Sequence, residues 1–373
     1  MNPPLPHLLA WRTLRLGPSR EVVDALVRPG ASGSDLDAAL ADFPGVHYWV
    51  DDARTRLVLV RVIGRDTRAA WGLASALMLA TLLCTLGAGA ALAGSWAPAS
   101  GGLLAGAVGF FVDVVRRDWS VLLQGWPFAL SLLGILLIHE LGHFTAARRY
   151  AIDASLPYFL PIPPTVSPIG SLGAFIRLRT PVLDRRQLLD VGASGPIAGF
   201  VITLGILVWG YLTSERMPIL GSADPSYVLF AGQPIYLGES LLTWAMREWL
   251  IPGTGAVHLS LPAFAGWVGA LITGLNLLPL SQLDGGHVLY GLFGPRQATI
   301  GILTVVALLV LAQFSPMWYL WVVLTLFLGG GRWSHPSVVM PDRPLPASRR
   351  WIGWICILVF VLTFMPIPFM PGQ

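Results

Sequence analysis

Charged residues are scarce in this 373-residue chain, at 12% of the sequence, and lysine is absent altogether. Soluble domains carry about a quarter charged residues, so a chain built only of water-exposed domains is excluded. The 24 basic residues are therefore all arginines, and they are dispersed over loops rather than gathered in a basic block. This dispersal argues against a nucleic-acid partner.

Cysteine is almost as rare, with only Cys84 and Cys356 in the sequence. Both lie within apolar runs, which indicates small buried hydrophobes rather than a disulfide framework or a metal site. Apolar sequence is abundant instead: 54% of the residues are hydrophobic, and the mean hydropathy is +0.67. Tryptophans recur near the ends of the apolar runs, as is typical of bilayer interfaces. The composition predicts a multi-pass membrane protein embedded in a lipid bilayer.

Seven apolar runs approach the length of about 20 residues that a spanning helix needs. They are Ala69–Gly94, Trp126–Tyr150, Leu188–Leu212, Leu261–Leu280, Ile300–Phe314, Met317–Gly329 and Trp351–Pro368. The fifth and sixth are short and predict either a tight helical hairpin or one broken span. Leu103–Val115 is shorter still and is predicted to be re-entrant or interfacial. The fold class is thus an α-helical polytopic membrane protein with about six to seven transmembrane helices.

Arginine placement predicts the orientation in the membrane. With a cytoplasmic amino terminus and each run crossing once, all of the 24 arginines except four fall on the cytoplasmic side. The exceptions are Arg116, Arg117, Arg216 and Arg247. This agrees with the excess of positive charge on cytoplasmic loops. The predicted location is a bacterial cytoplasmic membrane, with the amino terminus and the active site toward the cytoplasm.

Residues 1–68 are the only sizeable polar segment and predict a small cytoplasmic α/β domain. Glu21–Val27 and Asp35–Phe43 are predicted as short helices. Val46–Val50 and Arg56–Ile63 are predicted as two strands around a turn.

Two connections between the apolar runs have a predicted structure of their own. Residues 151–187 contain six prolines and cannot form one continuous helix. They predict a membrane-associated β-hairpin beside the neighbouring helix, with Gly170–Arg179 as a strand. Residues 213–260 predict an outer loop in which Leu237–Leu250 forms a helix along the interface.

The strongest chemical signal is His139-Glu140-Leu141-Gly142-His143 within an apolar run. Two histidines four residues apart lie on one helix face and can share a tetrahedral Zn²⁺. The glutamate between them is placed to take a proton from the attacking water and to pass it to a leaving amine. Ionisable groups within a spanning helix are costly and usually mark function.

Two histidines leave the zinc one protein ligand short, and Asp284 is the best candidate for the third. It closes an apolar run and precedes Gly285-Gly286, so a simple helix-end turn is the alternative explanation. Asn276 could donate to the oxyanion of a tetrahedral intermediate, although an interhelical hydrogen bond explains it equally well. His287 is assigned a role beside the centre rather than ligation, because zinc needs an open position for water.

Several motifs in the same order resemble the site-2 protease family of intramembrane zinc metalloproteases, in the branch without a PDZ insertion that includes chloroplast members. They are His139–His143 followed by Ala146-Ala147-Arg148, Pro157–Pro161, Gly170–Phe175, Gly195-Pro196 and Asn276–Gly286. The likeness covers roughly residues 130–290. One departure is Gly199, where many members carry asparagine, which puts a polar substrate contact at this position in doubt.

The resemblance implies His139, His143 and Asp284 as zinc ligands, Glu140 as general base and Asn276 as a substrate or oxyanion contact. It also implies that a hairpin guides an unwound transmembrane protein substrate. The residues assigned to that role are Gly170, Ser171, Leu172, Gly173, Ala174 and Phe175. The chain then divides into the domain 1–68, a first transmembrane helix and re-entrant or interfacial segment at 69–122, a protease core at 123–295 and carboxy-terminal transmembrane helices at 296–373.

Two other classes of function compete with the protease. A catalytically silent scaffold would bind transmembrane helices without cutting them, but it leaves the intact set of Glu140 and its flanking histidines without a reason. A transporter would suit the broken helices, but the carboxylates are too few for an obvious ion pathway.

Overall fold

A computed structural model describes residues 5, 7–16, 20–29, 34–62, 71–97, 103–116, 119–217, 225–280, 282–328, 335 and 338–370. The ends of three predicted elements (Ile63, Ala69 and Gly329) lie outside these residues. The helices are α1 Ser34–Ala41, α2 Trp71–Leu92, α3 Leu103–Arg116, α4 Trp119–Leu123, α5 Trp126–Arg149, α6 Arg185–Leu212, α7 Leu241–Leu250, α8 Leu261–Asn276, α9 Asp284–Phe293, α10 Gln297–Leu311, α11 Met317–Leu328 and α12 Ala347–Thr363. The strands are β1 Leu8–Arg15, β2 Arg20–Val27, β3 Val46–Trp49, β4 Arg56–Val62, β5 Tyr158–Pro161, β6 Ser171–Phe175, β7 Glu215–Met217, β8 Ser226–Phe230, β9 Gln233–Leu237 and β10 Ala256–His258.

Four helical stretches of the described chain are long and apolar enough to cross a membrane. They are α2, α5, α6 and the 28-residue stretch Asp284–Leu311, which joins α9 to α10 through a single 3₁₀ turn. The predicted span Ile300–Phe314 is therefore the second half of a longer stretch. Helix α8 has 16 residues, fewer than a typical crossing, but its side chains are almost all buried between its neighbours. The number of crossings beyond four stays a prediction.

The amino-terminal segment forms an antiparallel sheet in the order β1-β2-β4-β3, covered on one face by α1. Strand β4 explains how this sheet is buried on both sides. Leu57 and Leu59 pack with α1, whereas Val58 and Val60 point the other way and pack against Ala147 and Tyr150 at the end of α5. A strand with two buried faces needs a continuous apolar run, which this sequence has.

The prediction of a helix at Glu21–Val27 is wrong, because these residues belong to strand β2. Its pairing with both β1 and β4 provides backbone partners on each side, and its valines suit a pleated surface. Strand β1 was not predicted at all. The predicted helix and the two predicted strands that follow in this domain are present as α1, β3 and β4.

Buried ion pairs attach this domain to the helical core. The guanidinium of Arg343 is 2.5 Å from Asp24 in β2 and 3.0 Å from Asp184, whose carboxylate caps the start of α6. The hydroxyl of Tyr48 donates to the same Asp184 at 2.8 Å. Arg20 donates to the backbone carbonyl of Tyr150 at 2.8 Å. The domain thus holds the amino end of α6 and the carboxyl end of α5.

Two smaller sheets complete the architecture. Strands β5 and β6 pair antiparallel within the predicted hairpin region, and Gly170 next to them has a φ of +75° and packs against the backbone of α2 at Cys84. A side chain at Gly170 would collide there. In the outer connection the predicted helix Leu237–Leu250 is present only as α7, because Leu237 ends strand β9. The connection also contains a four-stranded sheet in the order β7-β10-β8-β9, which was not predicted.

Candidate metal centre

Helix α5 brings three ionisable side chains into the buried part of the molecule. His139, Glu140 and His143 are only 4%, 5% and 7% exposed. The two imidazole rings lie on one face with their centroids 4.8 Å apart. The spacing of four residues predicts this arrangement, because one helical turn separates the two histidines.

Asp284 joins the two histidines from another part of the chain. It begins α9, directly after the turn that follows α8. Its carboxylate oxygens are 3.2 Å from Nε2 of His139 and 3.3 Å from Nε2 of His143, and the two Nε2 atoms are 3.1 Å apart. For zinc–ligand bonds of about 2.0–2.1 Å, neighbouring corners of a tetrahedron are about 3.3–3.4 Å apart. Each histidine thus faces a different oxygen of the Asp284 carboxylate, and the closest atoms of the three residues have nearly the spacing of ligands that share one tetrahedral zinc.

The hydrogen bonding of His143 supports the same assignment. Its Nδ1 atom is 2.7 Å from the carbonyl oxygen of Val191 in α6. A carbonyl can only accept a hydrogen bond, so Nδ1 carries the proton and donates. The lone pair of Nε2 is then directed toward the cluster, as a metal ligand requires. No sequence pattern marks Val191, because its contribution is a backbone carbonyl.

Two glycines of α6 make room for the histidines. A methyl group on Gly195 would overlap the ring of His143, and one on Gly199 would come within 3.1 Å of His139 Nδ1. Position 199 is thus behind the imidazole and does not line the two cavities that flank Glu140. A side chain at this position would press on the ring of His139.

The substitution Gly195→Ala is expected to lower zinc affinity by about 100-fold, because the added methyl group would displace the ring of His143 from the cluster. Zinc content after dialysis against a competing chelator measures the effect. The matched control is Gly205→Ala in the same helix, where the added methyl group would meet nothing within 4 Å. Equal zinc retention by the two variants would contradict the geometry described above.

Glu140 lies beside the three candidate ligands and outside their cluster. The backbone N–H of Ile176, just after β6, donates to its carboxylate. The Nδ2 atom of Asn276, at the end of α8, is 3.5 Å from His139 Nε2. Both side chains line a cavity that also exposes Asp284. The predicted general base and the predicted oxyanion contact therefore lie on the same cavity as the candidate ligands.

The hairpin residues that were predicted to guide the substrate do not all line the same cavity. Ser171, Leu172 and Gly173 line a second cavity next to Glu140, Phe175 lines the first, and Ala174 lines both. Gly170 lines neither cavity and packs against α2 instead.

His287 lies beside the cluster. It lies in the wall of the first cavity, with its Cβ against Gly192 of α6, and its ring is 4.8 Å from that of His335. It does not belong to the group of candidate metal ligands.

The fold and the site define an integral membrane protein that encloses a His-His-carboxylate cluster between α5 and α9. Residues 127–313, half of the chain, match the model of Peptidase family M50. The chain belongs to this family, which comprises the site-2 proteases. The resemblance inferred from the motifs is confirmed.

Similar proteins point to the chloroplast-type branch. The chain is 32% identical over 254 residues to the probable zinc metalloprotease EGY2, chloroplastic, of Arabidopsis thaliana, an alignment that covers 67% of this chain and 43% of that protein. It is 30% identical over 243 residues to the probable zinc metalloprotease EGY1, chloroplastic, of the same plant, covering 65% and 43%. The chain therefore spans less than half the length of these relatives. No solved structure matches it.

Proposed function

We propose that this chain is a zinc-dependent intramembrane protease that hydrolyses peptide bonds in or near the transmembrane segments of membrane-anchored proteins. The observation that carries the proposal is the cluster of His139, His143 and Asp284. The closest polar atoms of each pair of these residues are 3.1–3.3 Å apart, and the carboxylate of Glu140 lies beside the cluster. Membership of the M50 family and the zinc metalloprotease names of its relatives support the same conclusion.

Each polar residue of the site has a role in such a reaction. Zinc held by the two histidines and Asp284 would polarise the scissile carbonyl and lower the pKa of water toward about 7. Glu140 takes a proton from the attacking water and delivers it to the leaving amine. The carboxamide of Asn276 donates to the carbonyl oxygen as negative charge develops there. The backbone N–H of Ile176 keeps the Glu140 carboxylate directed into the cavity.

Strand β6 is the element that would hold the substrate at the site. A transmembrane helix hides its carbonyls in its own hydrogen bonds, so it must unwind locally before water can attack. Strand β6 runs past Glu140 from one cavity to the other. An unwound segment that adds to β6 as a strand would be held extended by main-chain hydrogen bonds.

The arginine distribution supports an orientation in which the amino-terminal domain and the metal centre face the cytoplasm of a bacterial cell. The docking of that domain on the ends of α5 and α6 is consistent with this, because His143 lies within two turns of the docked end. Substrates then approach laterally from the bilayer, and water enters from the cytoplasmic side.

Removal of the metal tests the function directly. We expect the purified chain to hold one zinc and to cleave a reconstituted transmembrane substrate, and we expect a chelator to stop cleavage until zinc is added back. Metal analysis and product fragments are measured on the same samples. A silent scaffold would bind the substrate equally well with and without zinc and would release no fragment in either state.

A further inference from the structure

A second cavity opens next to the catalytic glutamate, on the side away from Asp284. Its volume is about 240 Å³, and it shares four residues with the first cavity: His139, Glu140, Ala174 and Asn276. A peptide laid along β6 with its scissile bond at Glu140 would extend into both cavities. The second cavity is therefore placed to receive a side chain from one flank of that bond.

The walls of this second cavity are apolar over most of their area. Helix α8 contributes Val268, Leu271, Ile272 and Leu275, which recur at the spacing of one helix face. The polar side chains at the reacting end are those of the catalytic residues, and Ser167 and Ser171 lie at the hairpin end. An apolar pocket of this kind selects an apolar side chain, since burial of a polar one without a partner is costly.

The carboxy-terminal part of the chain closes the cavity, although the family match ends at residue 313. Helix α11 presents Met317 and Trp321, one turn apart, and the final segment presents Phe369. All three are partly buried against the main core. The cavity wall is thus completed by residues outside the family match.

Phe369 is held in place by its neighbours in the outer sheet. The backbone N–H of Gly238 donates to the carbonyl of Pro368 at 2.8 Å, and the N–H of Met370 donates to the carbonyl of Tyr236 at 3.1 Å. The final segment therefore continues the sheet next to β9. The ring of Phe369 also meets Trp267 edge-on, with the centroids 5.5 Å apart. A side chain fixed in this way makes a rigid wall.

We propose that this cavity is the subsite for a large apolar residue next to the scissile bond, and that Phe369 and Trp321 set the size of the side chain it accepts. The proposal rests on the proposed protease function. It assigns a substrate-selecting role to the carboxy-terminal segment.

Substrate preference tests the subsite. Reconstituted transmembrane substrates carry Ala, Leu, Phe or Trp at one of the two residues that flank the cleavage site. We expect the wild-type protein to cleave the Leu or Phe substrate at least about 10-fold faster than the Ala substrate at one flank only. Phe369→Ala enlarges the cavity and should shift the preference at that flank toward Trp by about 10-fold. Phe327→Ala, on the same helix as Trp321 but 80% exposed, should keep the wild-type preference.

A second measurement locates the contact without requiring cleavage. In a Glu140→Gln background, Phe369→Cys should form a disulfide with a substrate cysteine at the selected flank and not at the other, whereas Phe327→Cys should form none. The native cysteines, Cys84 and Cys356, are both buried. Phe369→Leu replaces the alanine variant in the preference assay if the latter loses its zinc.

The outcomes separate the two proposals. Zinc-dependent cleavage with an unchanged preference in the Phe369 variants, or equal cross-linking at both flanks, overturns the subsite and leaves the protease function intact. Failure of the wild-type protein to cleave any substrate in a zinc-dependent way overturns the protease function and the subsite with it.

Discussion

Replacement of Glu140 by glutamine is expected to lower the cleavage rate by about 10²- to 10⁴-fold while the protein keeps its zinc. The amide has nearly the shape of the carboxylate but cannot accept a proton from water. The three candidate ligand atoms belong to other residues, so the metal affinity should change little. Single-turnover cleavage of a reconstituted transmembrane substrate measures the first effect, and metal analysis measures the second.

The control for this prediction is Glu248→Gln in α7, since the Glu248 side chain is 44% exposed and lines neither of the two cavities beside Glu140. It should cleave at the wild-type rate. In cells, intact substrate should accumulate with Glu140→Gln and not with the control. Cleavage at the wild-type rate by Glu140→Gln would rule out Glu140 as the general base, and unchanged function in cells without any cleavage would favour the scaffold.

Replacement of Arg343 by methionine is expected to destabilise the docked amino-terminal domain by roughly 3–5 kcal/mol. The Arg343 side chain is only 4% exposed and pairs with two buried carboxylates. Asp24 would keep Arg12 and Arg56 as partners, whereas the carboxylate of Asp184 would lose the guanidinium that lies 3.0 Å away. Hydrogen exchange of the β2 and β4 amides measures the change as a lower free energy of opening.

Arg350→Met is the matched control, because Arg350 is exposed on α12. It should leave the exchange of β2 and β4 unchanged. We also expect Arg343→Met to slow cleavage, because Asp184 caps α6, the helix whose Val191 orients His143. Equal protection of β2 and β4 in the two variants would show that the buried pairs do not hold the domain.

Acid is expected to weaken the ion pairs of Asp24 with Arg56 and Arg343. Burial by itself would raise the pKa of Asp24, but Arg56 and Arg343 lower it below the ordinary value overall. Asp24 therefore contributes stability above the ordinary unfolded value of about 3.9, and this contribution is lost as the pH falls through the lower folded value.

Much of the helical core was predictable because the features that indicate its helices lie within single stretches of the sequence. Apolar runs of sufficient length predict α2, α5 and α6 wherever they occur, since a bilayer leaves the backbone few other structures. The strands were predicted less well. The valines of Glu21–Val27 favour a strand only weakly over a short helix, and pairing with β1 and β4 decides between them.

The residues of the candidate site also differ in whether the sequence alone could predict them. His139, Glu140 and His143 could be found from the sequence, since one helical turn is enough to bring the two imidazoles together. The sequence could only suggest Asp284 as a candidate, because it lies 145 positions after His139 and 141 after His143. Its distance to them depends on how α8 and α9 pack against α6. Ile176 and Val191 could not be found, because they act through backbone atoms that every residue possesses.

The sequence by itself therefore determined the membrane class, the family motifs and the histidine pair, all of which depend on composition or on spacing within one helix. Only the tertiary structure decided that Asp284 closes the cluster, that glycines of α6 make room for it and that Arg343 links the amino-terminal domain to that helix. It also decided that Phe369, at the far end of the chain, completes a cavity beside Glu140. The physical reason is that these contacts join segments distant in the chain, and their geometry is set by packing rather than by local backbone preference.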